Sequence, residues 1–295
     1  MVSQVRRFNR TVTRDVGALN DRFLGRDRSL GESRVLWEIG AGAREVRALR
    51  NDLNLDSGYL SRLLRSLERD GLVTTGPGRA DQRVRVARLT EAGRAERQLL
   101  DRRSDAVAAA LLEHLNERQR RRLLEAMSAV ERLLTAATVR VEPMDPAHPH
   151  AQHCLDAYVA ELEHRFDNGF DPTASNPAEA EDMRPPAGVL LVATLRCEPV
   201  GCGALKLHGT QPAELKRMWV DGSTRGLGLG RRLLSELEAC ARQHGVRRLR
   251  LETNRTLVEA IALYRSCGYT EVAAFNDEPY ADHWFEKRLQ AGDPG

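Results

Sequence analysis

Residues 223–234 read STRGLGLGRRLL and hold three glycines, at positions 226, 228 and 230. The pattern of apolar residues predicts a strand over Glu214–Val220 before them and a helix over Arg231–His244 after them. Glycine-rich turns between a strand and a helix typically bind phosphate, because their main-chain N–H groups turn toward one anion at the helix N-terminus. The sequence therefore predicts a phosphate-binding loop at this place.

Two well-known nucleotide loops are excluded on particular positions. A Walker loop needs GxxxxGK[ST], and no lysine or hydroxyl residue stands where that pattern requires it. A dinucleotide fingerprint needs GxGxxG, and its third glycine position falls on Arg231. The spacing that remains is Arg225-x-x-Gly228-x-Gly230, and a glycine-rich turn without a ligand stays the alternative at this point.

The elements around the loop predict an α/β or α+β domain with a central sheet. The three prolines of residues 141–153 mark a junction, and a first strand is expected at Thr138–Glu142. The elements predicted after it are helix Cys154–Phe166, loop Asp167–Pro186, strands Val189–Leu195 and Val200–Leu207, the strand and helix already described, strand Arg248–Glu252, helix Leu257–Cys267 and a strand near His283–Leu289.

The glycine loop and the segment EAIALYRSCGY (259–269) resemble the GNAT acetyltransferase superfamily, whose pyrophosphate loop reads [Q/R]xxGx[G/A]. The resemblance covers about residues 138–290. It implies a GNAT domain over 138–295 with a mixed, mostly antiparallel sheet, acetyl-CoA as cosubstrate and no metal. It also implies that the strand before the loop splays from strand Arg248–Glu252 to admit the pantetheine arm. The cofactor-binding residues that it implies are Met218, Trp219, Val220, Arg225, Gly226, Leu227, Gly228, Leu229, Gly230 and Arg231.

One position departs from that family. Where its members often have an asparagine that bonds the cofactor's arm, seven residues before the tyrosine, this chain has Leu257. We expect Asn254, three residues earlier, to take over that cofactor contact.

The chemistry implied by the resemblance is direct acetyl transfer to an amine, which must be neutral to attack a thioester. Tyr264 occupies the family's tyrosine position and is the predicted proton donor to the departing thiolate; a tyrosine that only packs the helix end is the alternative. Glu214 begins the strand before the loop, where some members place a base. An exposed strand charge is an equal interpretation of Glu214.

The acceptor is less specified. Carboxylates of the loop Asp167–Pro186, with Glu161 just upstream, are expected to attract a cationic amine, although a solvated loop explains them equally well. Residues Asn276, Asp277, Glu278, Tyr280 and His283 are expected on the acceptor side of this fold.

The front half of the chain carries the opposite charge. Residues 1–140 hold 28 arginines and 19 acidic residues, a net charge of +9, and the remainder holds 17 basic and 23 acidic residues, a net charge of −6. A basic half favours nucleic acid as its partner. Within it, LDSGYLSRLLRSLERDGLV (55–73) predicts a helix capped by Asp56 with Leu60, Leu63, Leu64 and Leu67 facing inward.

The outer face of that helix presents small hydroxyls and arginines, which suit the major groove of DNA. The segment GPGRADQRVRVARLT (76–90) predicts a basic hairpin, in which Asp81 bonds within the tip and positions Arg83. With the following LTEAG, these segments resemble the MarR family of winged-helix regulators over about residues 3–135. The resemblance implies a helix-rich DNA-binding and dimerisation domain over 1–137, acting as a homodimer on palindromic double-stranded DNA. The DNA-binding residues that it implies are Ser57, Gly58, Ser61, Arg62, Arg65, Arg79 and Arg83.

Helical periodicity also runs through the flanks of this half. Apolar residues from Val5 to Phe23 predict one helix that Gly25 ends, and two long helices are predicted after Arg94. The second of these begins at Asn116, with Gln119 as its capping partner.

Composition limits the remaining possibilities. No apolar run approaches the roughly 20 residues of a membrane span, and residues 1–17 lack a secretory apolar region, so a cytoplasmic protein without membrane partners is expected. Five scattered cysteines predict reduced thiols. His148, His150, His153 and Cys154 match no standard zinc spacing, and Pro149 is expected to keep their segment extended.

Two functions are therefore weighed: a bifunctional regulator and N-acetyltransferase, or a DNA-binding regulator whose GNAT domain only senses acetyl-CoA or an amine. A third hypothesis is an enzyme whose helix-turn-helix serves dimerisation alone.

Overall fold

The computed structural model describes residues 1–18, 22–78, 81–167, 169–175, 179–209 and 212–290. The chain divides between Ala126 and Met127 into two compact units, at a point inside a helix of residues Glu117–Thr138. The domain boundary predicted after residue 137 lies at the C-terminal end of that helix and stays a prediction.

The first unit is rich in helices and contains a three-stranded antiparallel sheet of order β1-β3-β2. Its elements are α1 (Val2–Asp15), α2 (Leu30–Ile39), β1 (Ala43–Glu45), α3 (Val46–Asp52), α4 (Ser57–Arg69), β2 (Val73–Pro77), β3 (Arg85–Leu89), α5 (Glu91–Glu113) and α6 (Glu117–Thr138).

Helix α4 forms as the sequence predicts. The Asp56 carboxylate accepts the N–H of Tyr59 at 2.8 Å, which caps the helix. All four predicted inward leucines are buried, and they pack in one core with Val35 and Leu36 of α2. Because burying a leucine contributes about 1.5–3 kcal/mol, this face anchors α4 and leaves its other face to solvent.

The prediction of one helix from Val5 to Gly25 is wrong. Helix α1 ends at Asp15, Gly17 has a left-handed φ of +68°, and Phe23–Gly25 forms a separate 3-10 turn. Residues 19–21 lie outside the described part of the chain. The predicted cap of α6 is confirmed, since Asn116 and Gln119 exchange backbone-to-side-chain hydrogen bonds of 3.0 Å each.

The second unit is built on a seven-stranded sheet of order β4-β5-β6-β7-β8-β10-β9. Its elements are β4 (Arg140–Pro143), α7 (Pro149–Arg165), β5 (Gly188–Leu195), β6 (Glu198–Lys206), β7 (Ala213–Val220), α8 (Leu229–Gln243), β8 (Arg248–Thr253), α9 (Val258–Ser266), β9 (Thr270–Val272) and β10 (His283–Arg288). Every neighbouring pair is antiparallel except β7 and β8, so the predicted mixed, mostly antiparallel sheet is confirmed.

Helices cover both faces of this sheet. On β5, Leu191 and Ala193 belong to the core that includes Leu233 and Leu237 of α8, while Leu190 and Val192 belong to a second core with Cys154 of α7. This alternation follows from the two-residue repeat of a strand, and it explains why β5 is apolar throughout.

The expectation that Pro149 keeps its segment extended is wrong. Pro149 is the first residue of α7, where its missing N–H costs nothing and its fixed φ suits a helix. The His148 ring accepts the N–H of His150 at 3.1 Å and so caps the helix. His148 therefore has a structural role, and the five cysteines of the chain are all free thiols.

Candidate functional site

Strands β7 and β8 are joined at one end only. Their parallel pairing is limited to Ala213 with Leu249 and Glu214 with Arg250. Beyond these pairs both strands continue, to Val220 and Thr253, without pairing to each other along their fully described length. A wedge-shaped gap therefore opens between them, as the family resemblance implied, and it leaves one backbone edge of β7 available to a ligand.

A bulge in β7 shapes this gap. Cys202 pairs with Trp219 and Ala204 with Lys216, so β7 carries one residue more than β6 between these pairs. Arg217 takes up the difference with a left-handed φ of +56°, a conformation that costs a non-glycine residue roughly 1–2 kcal/mol. Opposite it, a Cβ on Gly203 would lie 2.6 Å from the Met218 sulfur, so a larger residue there would displace the Met218 side chain.

A cavity of about 530 Å³ runs from the gap to the glycine loop. Gly226 and Gly228 have left-handed φ values of +85° and +75°, and Gly228 is the N-cap residue of α8. No side chain in the described part of the chain caps that helix, so its first N–H groups are free to bind an anion. The loop therefore has the backbone of an anion site.

Charged side chains meet at this cavity. Arg225 lies 2.6 Å from a carboxylate oxygen of Glu161, and Arg165 lies 3.1 Å from the same oxygen. Arg165 also pairs with Glu259 at 2.7 Å. Arg231 donates to the Ser266 hydroxyl at 2.8 Å. Three arginines thus stand at the cavity, two of them held by carboxylates that an anionic ligand would displace.

A second cavity, of about 100 Å³, continues from the first. Its walls come from the end of α7, from β7 and β8, and from residues 278–281. The residues that line both cavities are Tyr158, Leu162, Met218, Leu257, Ala260 and Tyr264. A reaction between a ligand in each cavity would therefore take place beside Tyr158 and Tyr264.

Residues 155–269 match the sequence model of the acetyltransferase (GNAT) family. An IAA acetyltransferase of Azospirillum brasilense is 32% identical over 142 residues, which are 48% of this chain and 87% of that relative. This chain belongs to the GNAT family. It is an acetyl-CoA-dependent N-acetyltransferase of the GNAT type.

Two solved structures are also similar to the chain. A GNAT-family acetyltransferase of Staphylococcus aureus has 16% identity and a TM-score of 0.44, with 52% of this chain and 99% of that chain covered. FabT of Streptococcus pneumoniae, in complex with DNA, has 20% identity and a TM-score of 0.40, with 45% of this chain and 97% of that chain covered.

Most of the implied cofactor residues line the larger cavity of this GNAT domain. These are Met218, Trp219, Val220, Arg225, Gly226, Gly228, Leu229, Gly230 and Arg231. Leu227 does not line it. Asn254 lines the smaller cavity, where its amide bonds the Tyr280 carbonyl at 2.8 Å and accepts from Thr256. The place of Asn254 therefore does not support a contact with the cofactor's arm.

Tyr264 is buried where the two cavities meet. Burial, with smaller contributions from Tyr158 and Glu252, raises the pKa of its phenol well above the usual range. Burial likewise raises the pKa of Tyr158 to about 12. Both hydroxyls therefore keep their protons at neutral pH.

Glu252 is a site residue that the sequence did not indicate. It lines the smaller cavity with its side chain 8% exposed, and its Oε1 pairs with Lys216. Its Oε2 is buried without a hydrogen-bond partner among the described residues. Burial raises the pKa of Glu252, although Lys216 opposes the shift.

Glu214 lines neither cavity. Its carboxylate pairs with Lys216 at 3.2 Å, and its other oxygen lies 3.3 Å from the Nε2 of His208. Lys216 thus lies between two glutamates, which raise its pKa against the opposing effect of burial and keep it protonated.

The acidic loop does not supply the carboxylates of the smaller cavity. Asp167 pairs with Arg255, Glu181 with Arg184 and Asp182 with Lys206, and Asp171 caps its own turn. Of the residues expected on the acceptor side, Glu278 and Tyr280 line the cavity, whereas Asn276, Asp277 and His283 do not.

The predicted DNA-binding residues lie on α4 and in the β2–β3 hairpin. Ser57, Gly58, Arg62 and Arg65 are exposed, whereas Ser61 is half-buried and donates to the Ser57 carbonyl at 2.7 Å. In the hairpin, the Arg83 N–H donates to Asp81 at 2.8 Å, which confirms the predicted bond within the tip. Arg79 lies outside the described residues.

Two further findings concern possible partners. In the described ranges, no three His, Cys, Asp or Glu side chains lie together as metal ligands would. None of the helices described is both long and apolar enough to cross a membrane.

Proposed function

We propose that acetyl-CoA binds in the gap between β7 and β8 and that an amine in the smaller cavity attacks it directly. The observation that carries this proposal is the continuity of the two cavities at Tyr264. The N–H groups of the glycine loop, with Arg225 and Arg231, bind the pyrophosphate. Arg225 is paired with Glu161 at 2.6 Å, and the pyrophosphate replaces Glu161 as its partner.

The pantetheine arm lies along the open edge of β7, beside Met218 and Val220. Its amides bond that edge much as a neighbouring strand would. Leu257 lines both cavities and supplies an apolar wall, so the arm is held by the strand edge and not by Asn254.

Two side chains carry out the proton transfers of this reaction. Glu252 accepts a proton from the acceptor amine at its unpartnered Oε2, because an ammonium ion cannot attack a thioester. Tyr264 donates to the departing thiolate. Lys216 binds the other Glu252 oxygen and holds the carboxylate in place. Glu214, which the sequence indicated as a base, acts through Lys216.

The direct test is release of CoA from acetyl-CoA over a broad panel of amines, with lysine peptides included. We expect release well above the amine-free rate for at least one class of amine. If acetyl-CoA binds but CoA release stays at background for every amine, the domain is a sensor and the catalytic proposal fails.

We also propose a second function for residues 1–137, sequence-specific binding of double-stranded DNA by a winged helix of the MarR type. Its support is the exposed face of α4 with Arg62 and Arg65, beside an antiparallel hairpin that carries Arg83. The +9 charge of residues 1–140 favours the phosphate backbone as a partner.

Arg62→Ala tests this second function. We expect it to weaken binding to a selected palindromic site by about 1–3 kcal/mol. Arg242→Ala in the GNAT unit removes the same charge and should leave DNA affinity unchanged. Equal affinities of all three proteins would remove α4 from the DNA interface.

A further inference from the structure

The chemistry of the smaller cavity specifies the class of acceptor. Four charged side chains line it: Lys216, Arg217, Glu252 and Glu278. Lys216 is neutralised by its contacts with Glu252 and Glu214. Arg217, the next residue, forms no ion pair with any described carboxylate; its guanidinium carbon lies 5.4 Å from the centre of the Tyr158 ring.

Arg217 is also the residue at which β7 is strained. Its left-handed φ takes up the extra residue of the bulge. Non-glycine residues keep such conformations mainly where the surroundings impose them, and they concentrate at ligand sites. Arg217 lines the smaller cavity and not the larger one, so its ligand is the acceptor and not the cofactor.

Three aromatic rings form part of the remaining wall. The rings of Phe166, Phe170 and Tyr280 pack against one another at centroid distances of 5.0–5.8 Å. The Tyr280 hydroxyl accepts the Asp171 N–H at 3.0 Å, and the Ser175 hydroxyl donates to Glu278 at 3.0 Å. These bonds tie Asp171 to Tyr280 and Ser175 to Glu278.

We propose that the acceptor is a small amino acid with an apolar side chain, whose carboxylate is bound by Arg217. A zwitterion matches a cavity with two positive and two negative side chains, whereas a simple alkylamine would leave Arg217 without a counter-ion. The aromatic wall takes the apolar side chain, and the volume of about 100 Å³ favours a compact acceptor. The inference rests on the acetyl transfer proposed above.

The reaction balances without another reagent. The bound ammonium group gives one proton to Glu252 and on to solvent. The neutral nitrogen then forms the N–C bond as the C–S bond breaks. Tyr264 supplies a proton to the sulfur, and the second proton from nitrogen replaces it on Tyr264 through solvent, so the products are the N-acetylamino acid, CoA thiol and one released proton.

The test compares matched acceptors in matched proteins. Leucine and isopentylamine differ only in the carboxylate, as do alanine and ethylamine. Arg217→Asn removes the cation while asparagine tolerates the left-handed backbone, and Arg217→Lys keeps the charge. Using the same acceptor pair in each protein cancels the intrinsic difference in amine basicity.

We expect Arg217→Asn to lower kcat/KM for the amino acids by about 100-fold and for the amines by less than about 3-fold. Arg217→Lys should recover part of the loss, and acetyl-CoA affinity should stay unchanged in both variants. Equal losses on both members of a pair, or no acetylation of any amino acid by the wild-type protein, overturns the proposal. If acetyl-CoA itself fails to bind the wild-type protein, the cofactor site proposed above fails with it, which calorimetry detects separately.

Discussion

Tyr264 keeps its phenolic proton throughout the neutral range, because burial raises its pKa well above the usual value. The proposed acid role therefore predicts that Tyr264→Phe lowers kcat by on the order of 10²-fold while the Kd for acetyl-CoA changes little. Stopped-flow release of CoA and calorimetry measure the two quantities. Tyr269→Phe is the matched control, because Tyr269 bonds Glu238 and lines neither cavity. An unchanged kcat in Tyr264→Phe would contradict the role.

The pH dependence of kcat/KM distinguishes between Glu252 and Glu214 as the catalytic base. A base acts only when deprotonated, so kcat/KM should rise with pH through the pKa of Glu252. Burial raises that pKa, so the rise falls at higher pH than for an ordinary glutamate. Glu252→Gln should remove this rise and lower the plateau by about 10²-fold, whereas Glu214→Gln should keep the rise. The opposite pattern would show that Glu214 is the base. The same amine is used with the wild type and both variants, so the ionisation of the amine affects all three pH profiles equally.

Among the elements, the bulged strand β7 positions the site, and Gly203 of β6 packs against the bulge. A Cβ there would meet the Met218 sulfur at 2.6 Å and the Leu237 side chain at 2.8 Å. We expect Gly203→Ala to lower the free energy of unfolding by about 1–2 kcal/mol and to weaken acetyl-CoA binding, because Met218 is displaced toward both cavities. Urea unfolding and calorimetry measure these effects. Gly76→Ala, in a strand with open space around the glycine, is the control, and equal effects would contradict the account.

The order of strands and helices in the second unit was predictable, except for the short strand β9 (Thr270–Val272), because most elements have their own apolar period and end at a glycine. The strand before the glycine loop was predicted over Glu214–Val220 and runs over Ala213–Val220, for example. The bulge was not predictable, because it depends on how β7 pairs with β6. The sequence did not indicate Glu252 for a similar reason. In the strand segment RLRLET it alternates with apolar residues like any exposed charged residue, and its burial depends on tertiary contacts such as the ion pair with Lys216, 36 positions earlier.

For the whole molecule, the exposed apolar residues of α1 are compatible with the homodimer that the sequence predicts. None of the helix's side chains is buried, yet Val5, Phe8 and Val12 form an exposed apolar stripe. The proposed homodimer would cover this stripe. We predict that Phe8→Asp shifts the molar mass measured by light scattering from two chains toward one. Arg10→Asp places the same residue on the opposite side of the helix and should not. A wild-type protein that runs as a single chain would contradict the dimer.

The central claim is that the glycine loop holds the pyrophosphate of acetyl-CoA. Calorimetry of acetyl-CoA and of S-acetylpantetheine, which lacks the pyrophosphate, tests it most directly in the wild-type protein and in Gly228→Ala. A side chain at a φ of +75° is strained, so the loop N–H groups should turn away from the anion. We expect Gly228→Ala to weaken acetyl-CoA binding by about 10-fold and to leave S-acetylpantetheine binding unaffected, with Gly222→Ala behaving as wild type. The same loss of affinity for both ligands, or for neither, would contradict it.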